Sequence, residues 1–254
     1  MTKNKLNKLI FLSVYLILAL SFVLIFKPLY IVSIIVVLAV PSTINFLWLK
    51  NSRLQIFIFS FLSGILFAPP VELMARLLNV WDVQSIFYRP FGLIPIENMV
   101  FAFLNFFWAL SFYKYFVDGD RPSVINKRFK YLVGLYIIFD ILIFGLYFYN
   151  PSLVGANYFF IALIILVIPG ILLFAKNTKL LKKTITTTLF FAVTFFAYEL
   201  VSLKIGSWFW PANNYLVSLT IFGQKMPLDD IIIWYFMSTP VLIYGYEFFI
   251  DDNK

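Results

Sequence analysis

The chain alternates long apolar runs with short polar breaks. Eight runs, about 9–26, 29–49, 54–79, 95–117, 130–149, 157–175, 184–205 and 227–250, stand out. A helix of about 20 apolar residues crosses a bilayer's hydrocarbon core. In lipid every backbone N–H and C=O must be satisfied within the protein, which a helix does for itself. The pattern therefore predicts an all-α polytopic membrane bundle of eight transmembrane helices. Lys3, Lys5 and Lys8 ahead of the first run resemble a signal peptide. No small-x-small cleavage site follows, and Lys27-Pro28 leads straight into the next run, so an uncleaved first span is expected.

Shifting the first four runs by 127 to 132 residues lands them on the last four, which predicts two tandem four-helix repeats, 1–120 and 128–254. The polar stretch from Asp118-Gly119-Asp120-Arg121-Pro122 to Lys130 separates them. Gly92-Leu93-Ile94-Pro95-Ile96-Glu97-Asn98 opens the fourth helix, and Gly223 to Asp230, with Pro227-Leu228-Asp229-Asp230, opens the eighth. Upstream, Glu72 stands nine residues before Trp81, and Glu199 nine before Trp208. An even number of spans per repeat gives both halves one orientation.

Charge supports that topology. With eight spans, the outer connections hold Lys27, Arg89, Lys204 and Lys225, and Arg76 lies near the outer end of the third helix. The other fifteen of the twenty Lys and Arg fall at the end shared by both termini, which predicts cytoplasmic termini and a location in the cell membrane. The net charge of +8 is thus a topology signal and no sign of nucleic acid. The share of charged residues, 13%, is about half that of soluble domains, and mean hydropathy is +0.92. The chain has no Cys and no His, so disulfide, thiolate and imidazole chemistry are excluded, and proton transfer must fall to Asp, Glu, Tyr, Lys or water.

Ionisable groups inside a membrane are costly, about 2.5–3.5 kcal/mol each at a helix centre on insertion scales, and point to function. Glu72 with Glu199 and Glu97 with Asp229 fall in register across the repeat, toward the outer side. Pro95 and Pro227 suit the first helical position, which sets Glu97 and Asp229 third, in the favourable field of the first turn. Capping of free amides is the structural alternative. Asp229, Asp230 and Glu199 form the candidate proton donor, one proton being shared among them. Glu97 and Glu72 form the candidate base or cation stabiliser, with Arg76 one turn from Glu72. Asn98 stands in the first half where the second has Asp230. Phe101, Asn105 and Trp108 continue the Glu97 stripe, and aromatic faces attract cations. Trp81 and Trp208 belong to aromatic outer connections that read either as an interfacial belt or as a lid over an apolar substrate. Asp140 has no counterpart and is set aside. No phosphate loop, dinucleotide fingerprint or Cys/His metal cluster is present. Asn213-Asn214 and Asp251-Asp252 do not make the paired Asp-rich motifs by which Mg²⁺ holds a diphosphate.

Two copies of a Pro-aliphatic-acid opening, each preceded by Gly and an aromatic Trp-containing loop, resemble the membrane-integral lycopene cyclases, which occur as two small subunits or one fused chain. Pro95-Ile96-Glu97-Asn98 and Pro227-Leu228-Asp229-Asp230 match both copies. The resemblance implies an isomerase of carotenoid biosynthesis. It would close lycopene ends to β- or ε-ionone rings by protonation, cation ring closure and deprotonation, with no net redox change and no flavin. It also implies no cofactor or metal, a hydrophobic isoprenoid substrate and association with other carotenoid enzymes. This sequence departs from the family at Asn98 and in having Asp229-Asp230 for two glutamates, so a cyclase of another terpenoid or polyene stands beside it. A prenyltransferase-like enzyme and a proton-coupled carrier are the other readings.

Overall fold

The computed structural model describes residues 2–154, 167–176, 178–211, 215 and 217–250, except the side chains of 169, 173, 176 and 229. Of the described residues 76% are helical, and among them seven helices are long and apolar enough to span a membrane. They are α1 (Lys3–Phe26), α2 (Tyr30–Leu47), α3 (Arg53–Leu77), α4 (Ile96–Asp118), α5 (Phe129–Tyr149), α7 (Thr178–Ile205) and α8 (228–249), whose apolar span is Ile231–Phe249. A shorter helix, α6 (Ile168–Lys176), is the described end of the predicted run 157–175, most of which lies outside the described residues. The observed α7 begins six residues before the expected 184, because Lys179, Lys182 and Lys183 lower hydropathy without breaking the helix. The same holds for α1, where Thr2 caps the start by accepting from the Lys5 amide at 3.4 Å.

The two sequence halves pack as one bundle. α1 lies on α7, α4 lies on α8, and α3 lies along α4. Leu12, Leu16, Trp108, Phe112, Phe191 and Phe195, drawn from both halves, share one buried core. α3 and α4 meet closely at Gly64, where an added Cβ would stand 3.0 Å from Phe103 Cα. Small residues permit this approach between membrane helices. α5 is mostly lipid-facing, with Tyr131, Leu135, Ile138, Ile141 and Phe148 exposed.

Contacts sort the connections into two ends. Asp120, after α4, accepts from the Lys50 and Asn51 amides after α2 at 2.6 and 3.1 Å. Lys8 of α1 donates to Tyr115 of α4 at 2.8 Å, Lys183 of α7 lies 3.6 Å from Asp118, and the Asn126 amide donates to Phe249 O at 3.2 Å. The described chain thus starts and finishes at one end of the bundle. At the other end, the connections after α3 and α7 meet in a small antiparallel pair, β1 (Asp82–Val83) with β2 (Trp208–Phe209). A hairpin, β3 (Ser218–Ile221) with β4 (Gln224–Pro227), follows and leads into α8. Its turn residues Phe222 and Gly223 both have positive φ, 48° and 76°, the geometry that two-residue hairpins favour. Phe91 and Gly92, at 56° and 72°, repeat it before α4.

Candidate functional site

Both helix openings run one residue later than the sequence suggests. Pro95 and Pro227 have extended ψ, 124° and 131°, so each is the cap and not the first helical residue. Glu97 is therefore second and Asn98 third in α4, as Asp229 is second and Asp230 third in α8. Neighbouring helical residues point about 100° apart, so this shift decides which residue faces inward.

A cavity of about 120 Å³, partly open to the outside, lies among α3, α4, α7 and α8 beneath the β1–β2 pair. Glu72 and Ala68 line it from α3, and Asn98, Phe101 and Asn105 from α4. Tyr198, Glu199 and Ser202 come from α7, and Asp230, Trp234 and Tyr235 from α8. Trp81 and Trp208 cover it. Eight of the expected site residues meet here: Glu72, Glu199, Asp230, Asn98, Trp81, Trp208, Phe101 and Asn105.

Glu97 is a correction. Its carboxylate does not line the cavity but turns back to the connection before it. It accepts from Ser85 Oγ at 2.6 Å and from the Ile86 and Phe87 amides at 2.7 and 3.1 Å. The residue is completely buried. Trp108 is a second correction: it packs in the core, 4.9 Å from Phe191 between ring centres, away from the cavity. Arg76 stands behind Glu72 rather than in the cavity. It donates to Trp81 O at 2.6 Å, pairs with Asp82, and lies 3.7 Å from Glu72 Oε2. The Asp229 side chain lies outside the described residues. Asp140, on α5, is not among the lining residues.

Glu72 sits in a dense network. Its Oε1 accepts from Asn98 Nδ2 at 2.9 Å and from Trp81 Nε1 at 3.0 Å. Asn98 in turn accepts from Tyr30 Oη at 2.9 Å, which ties α2, α3 and α4 together. Glu199 is held more lightly: Trp210 Nε1 donates to it at 2.9 Å. The equal spacing of nine residues marks Trp208 as the counterpart of Trp81, which donates to Glu72, but Trp208 does not do the same for Glu199. Instead Trp208 stacks on Trp81 at 6.3 Å, and Trp210, two residues on, takes the carboxylate. Strand residues i and i+2 share a face, so spacing alone does not choose between them. Trp81 meets Trp208, Trp210 and Trp234 at 6.1 to 6.3 Å, making an aromatic roof. Phe101 lies 6.0 Å from Trp208 and 6.4 Å from Tyr198.

Tyr198, Ser202, Trp234 and Tyr235 were not singled out from the sequence. Their signal was proximity, since Tyr198 adjoins Glu199 and Trp234 follows Asp230 by one turn. The α8 segment that carries Trp234 and Tyr235 is a π-helix, Ile231–Met237, a distortion often found at functional sites. Among the described residues no three His, Cys, Asp or Glu gather as metal ligands. In comparisons with known proteins, no match is found among family models, curated proteins or solved structures.

Proposed function

We propose that this protein is a membrane-integral isoprenoid cyclase, an isomerase built as two tandem four-helix repeats with both termini cytoplasmic. The observation that carries the reading is one aromatic cavity among α3, α4, α7 and α8 that Glu72, Glu199 and Asp230 line together. The Glu199/Asp230 side donates a proton to the terminal carbon–carbon double bond, forming a C–H bond and a tertiary cation. The π electrons of an internal alkene then close the ring, moving the cation inward. Glu72 takes a neighbouring proton, leaving a ring double bond, so the product is an isomer of the substrate. Phe101, Trp81 and Trp208 offer ring faces to the cation. Two carboxyls in unlike surroundings suit acid and base roles.

Size sets how the substrate sits. An engineered apolar cavity of about 150 Å³ takes up benzene, so about 120 Å³ holds little more than the terminal five-carbon unit while the rest of a polyene lies in the opening. Lycopene is the first candidate, with other acyclic polyenes or terpenoids beside it. Glu97 and Arg76 serve as positioning residues, fixing the connection and Glu72.

Expression in cells that accumulate lycopene, with pigments separated by chromatography, tests this. New cyclic products are expected from the native chain, and Glu199→Gln or Asp230→Asn should abolish them while the protein still inserts. Unchanged lycopene at good protein levels removes that substrate. Full activity in both variants removes the mechanism.

A further inference from the structure

At the end of the bundle opposite the cavity, a recess of about 420 Å³ opens among α1, the α2–α3 connection and the end of α4. Lys5, Lys8, Trp48, Lys50, Tyr115 and Asp120 line it. We propose that this recess binds the phosphate of an anionic phospholipid of the adjacent leaflet.

Three observations converge. First, the ammonium groups are set in place: Lys8 Nζ donates to Tyr115 Oη at 2.8 Å and lies 4.5 Å from the Trp48 ring centre, while Lys5 Nζ lies 5.4 Å from that of Tyr115. Second, these lysines lack a carboxylate partner among the described residues. The one acid in the recess, Asp120, spends its oxygens on the Lys50 and Asn51 amides and on Ser52 Oγ at 2.7 Å. Three lysines thus line a recess whose one carboxylate is already engaged by neutral donors. Third, Trp48 and Tyr115, which line the recess, are residue types enriched where hydrocarbon meets headgroup, and Leu47, next to Trp48, is exposed and gives acyl chains an apolar surface. Most of the chain's basic residues share this end, and basic pockets between membrane helices are where acidic headgroups bind. An apolar flank distinguishes a lipid from free phosphate.

The test is lipid retention by the full-length protein, purified in mixed phosphatidylglycerol and phosphatidylcholine micelles and read by native mass spectrometry. The wild-type chain should retain phosphatidylglycerol preferentially. Each lysine near a charged surface contributes about a fivefold preference, so Lys5→Gln with Lys8→Gln should reduce enrichment about thirtyfold. Lys127→Gln with Lys182→Gln removes the same charge from exposed positions at the same end, outside the recess, and should lower it far less. Equal retention of the two lipids, or equal loss in both double variants, overturns the site. Displacement of the lipid by millimolar inorganic phosphate overturns the lipid assignment, and failure to displace it supports it. Should the Lys5/Lys8 variant not fold, rising NaCl on the native protein decides: enrichment falls with salt if the contact is ionic, and constancy overturns it. None of these outcomes depends on cyclase activity.

Discussion

Glu97 offers the sharpest test of how the helix openings work. Its carboxylate receives three hydrogen bonds, from Ser85, Ile86 and Phe87. Hydrogen bonds to charged groups contribute about 1.5–3 kcal/mol each. Ile86 and Phe87 are exposed, so their freed amides can find water, which brings the loss nearer about 1 kcal/mol per bond. Glu97→Ala should therefore loosen the 82–92 connection by about 3 kcal/mol, or roughly a hundredfold in local opening. Glu97→Gln keeps an oxygen for both amides and an amide group for Ser85. Only the charge assistance goes, about 1 kcal/mol or some fivefold. Hydrogen exchange read on peptides covering residues 84–92, with the protein in nanodiscs, measures both. Protection should fall about a hundredfold in the alanine variant and about fivefold in the glutamine variant. Turnover should follow the same order, with Glu97→Gln retaining most activity. Unchanged exchange in Glu97→Ala refutes the clamp, and complete loss of turnover in Glu97→Gln with intact protection returns Glu97 to the chemistry.

Two further predictions concern stability. Gly64→Ala places a methyl 3.0 Å from Phe103 Cα, a backbone atom that cannot swing aside, and should cost about 1–3 kcal/mol in detergent unfolding. Lys114, fully buried, holds Asp118 at 2.6 Å. Lys114→Met should cost about 3 kcal/mol, near the lower limit for breaking a buried pair, because Lys183 remains 3.6 Å from the other Asp118 oxygen.

The helices were legible because a membrane imposes length and apolarity, and both can be counted. α2, α3, α4 and α5 fall within two residues of their expected limits at almost every end. The connections were not. Gly223 to Pro227 read as a simple helix entry, whereas Gln224–Pro227 is a strand, paired with a Ser218–Ile221 segment too short for its alternation to stand out. Pairing of β1 with β2 joins residues 125 and 127 apart, and no local pattern announces it. The convergence of Glu72 and Glu199 was legible as register between matched helices. The error at Glu97 was one of phase: a cap misplaced by one residue turns the wrong side chain inward by about 100°.

That phase also fixes what the cavity can do. With the second residue of each opening turned away in α4, the third residue faces in: Asn98 in α4 and Asp230 in α8. Asn98 spends its amide on Glu72, and Arg76 adds a guanidinium one turn along α3. At the matched place on α7 stands Leu203, which brings no charge. Glu72 therefore lies among donors and a cation, surroundings that favour the carboxylate, the form a base must start from. Glu199 accepts from Trp210 and shares its cavity with another acid, Asp230. The difference arises from two substitutions between otherwise matched positions, Asn for Asp and Arg for Leu. A cavity lined symmetrically would hold two acids or two bases. In the proposed isomerisation the two sides of this cavity take the unlike roles of proton donor and proton acceptor.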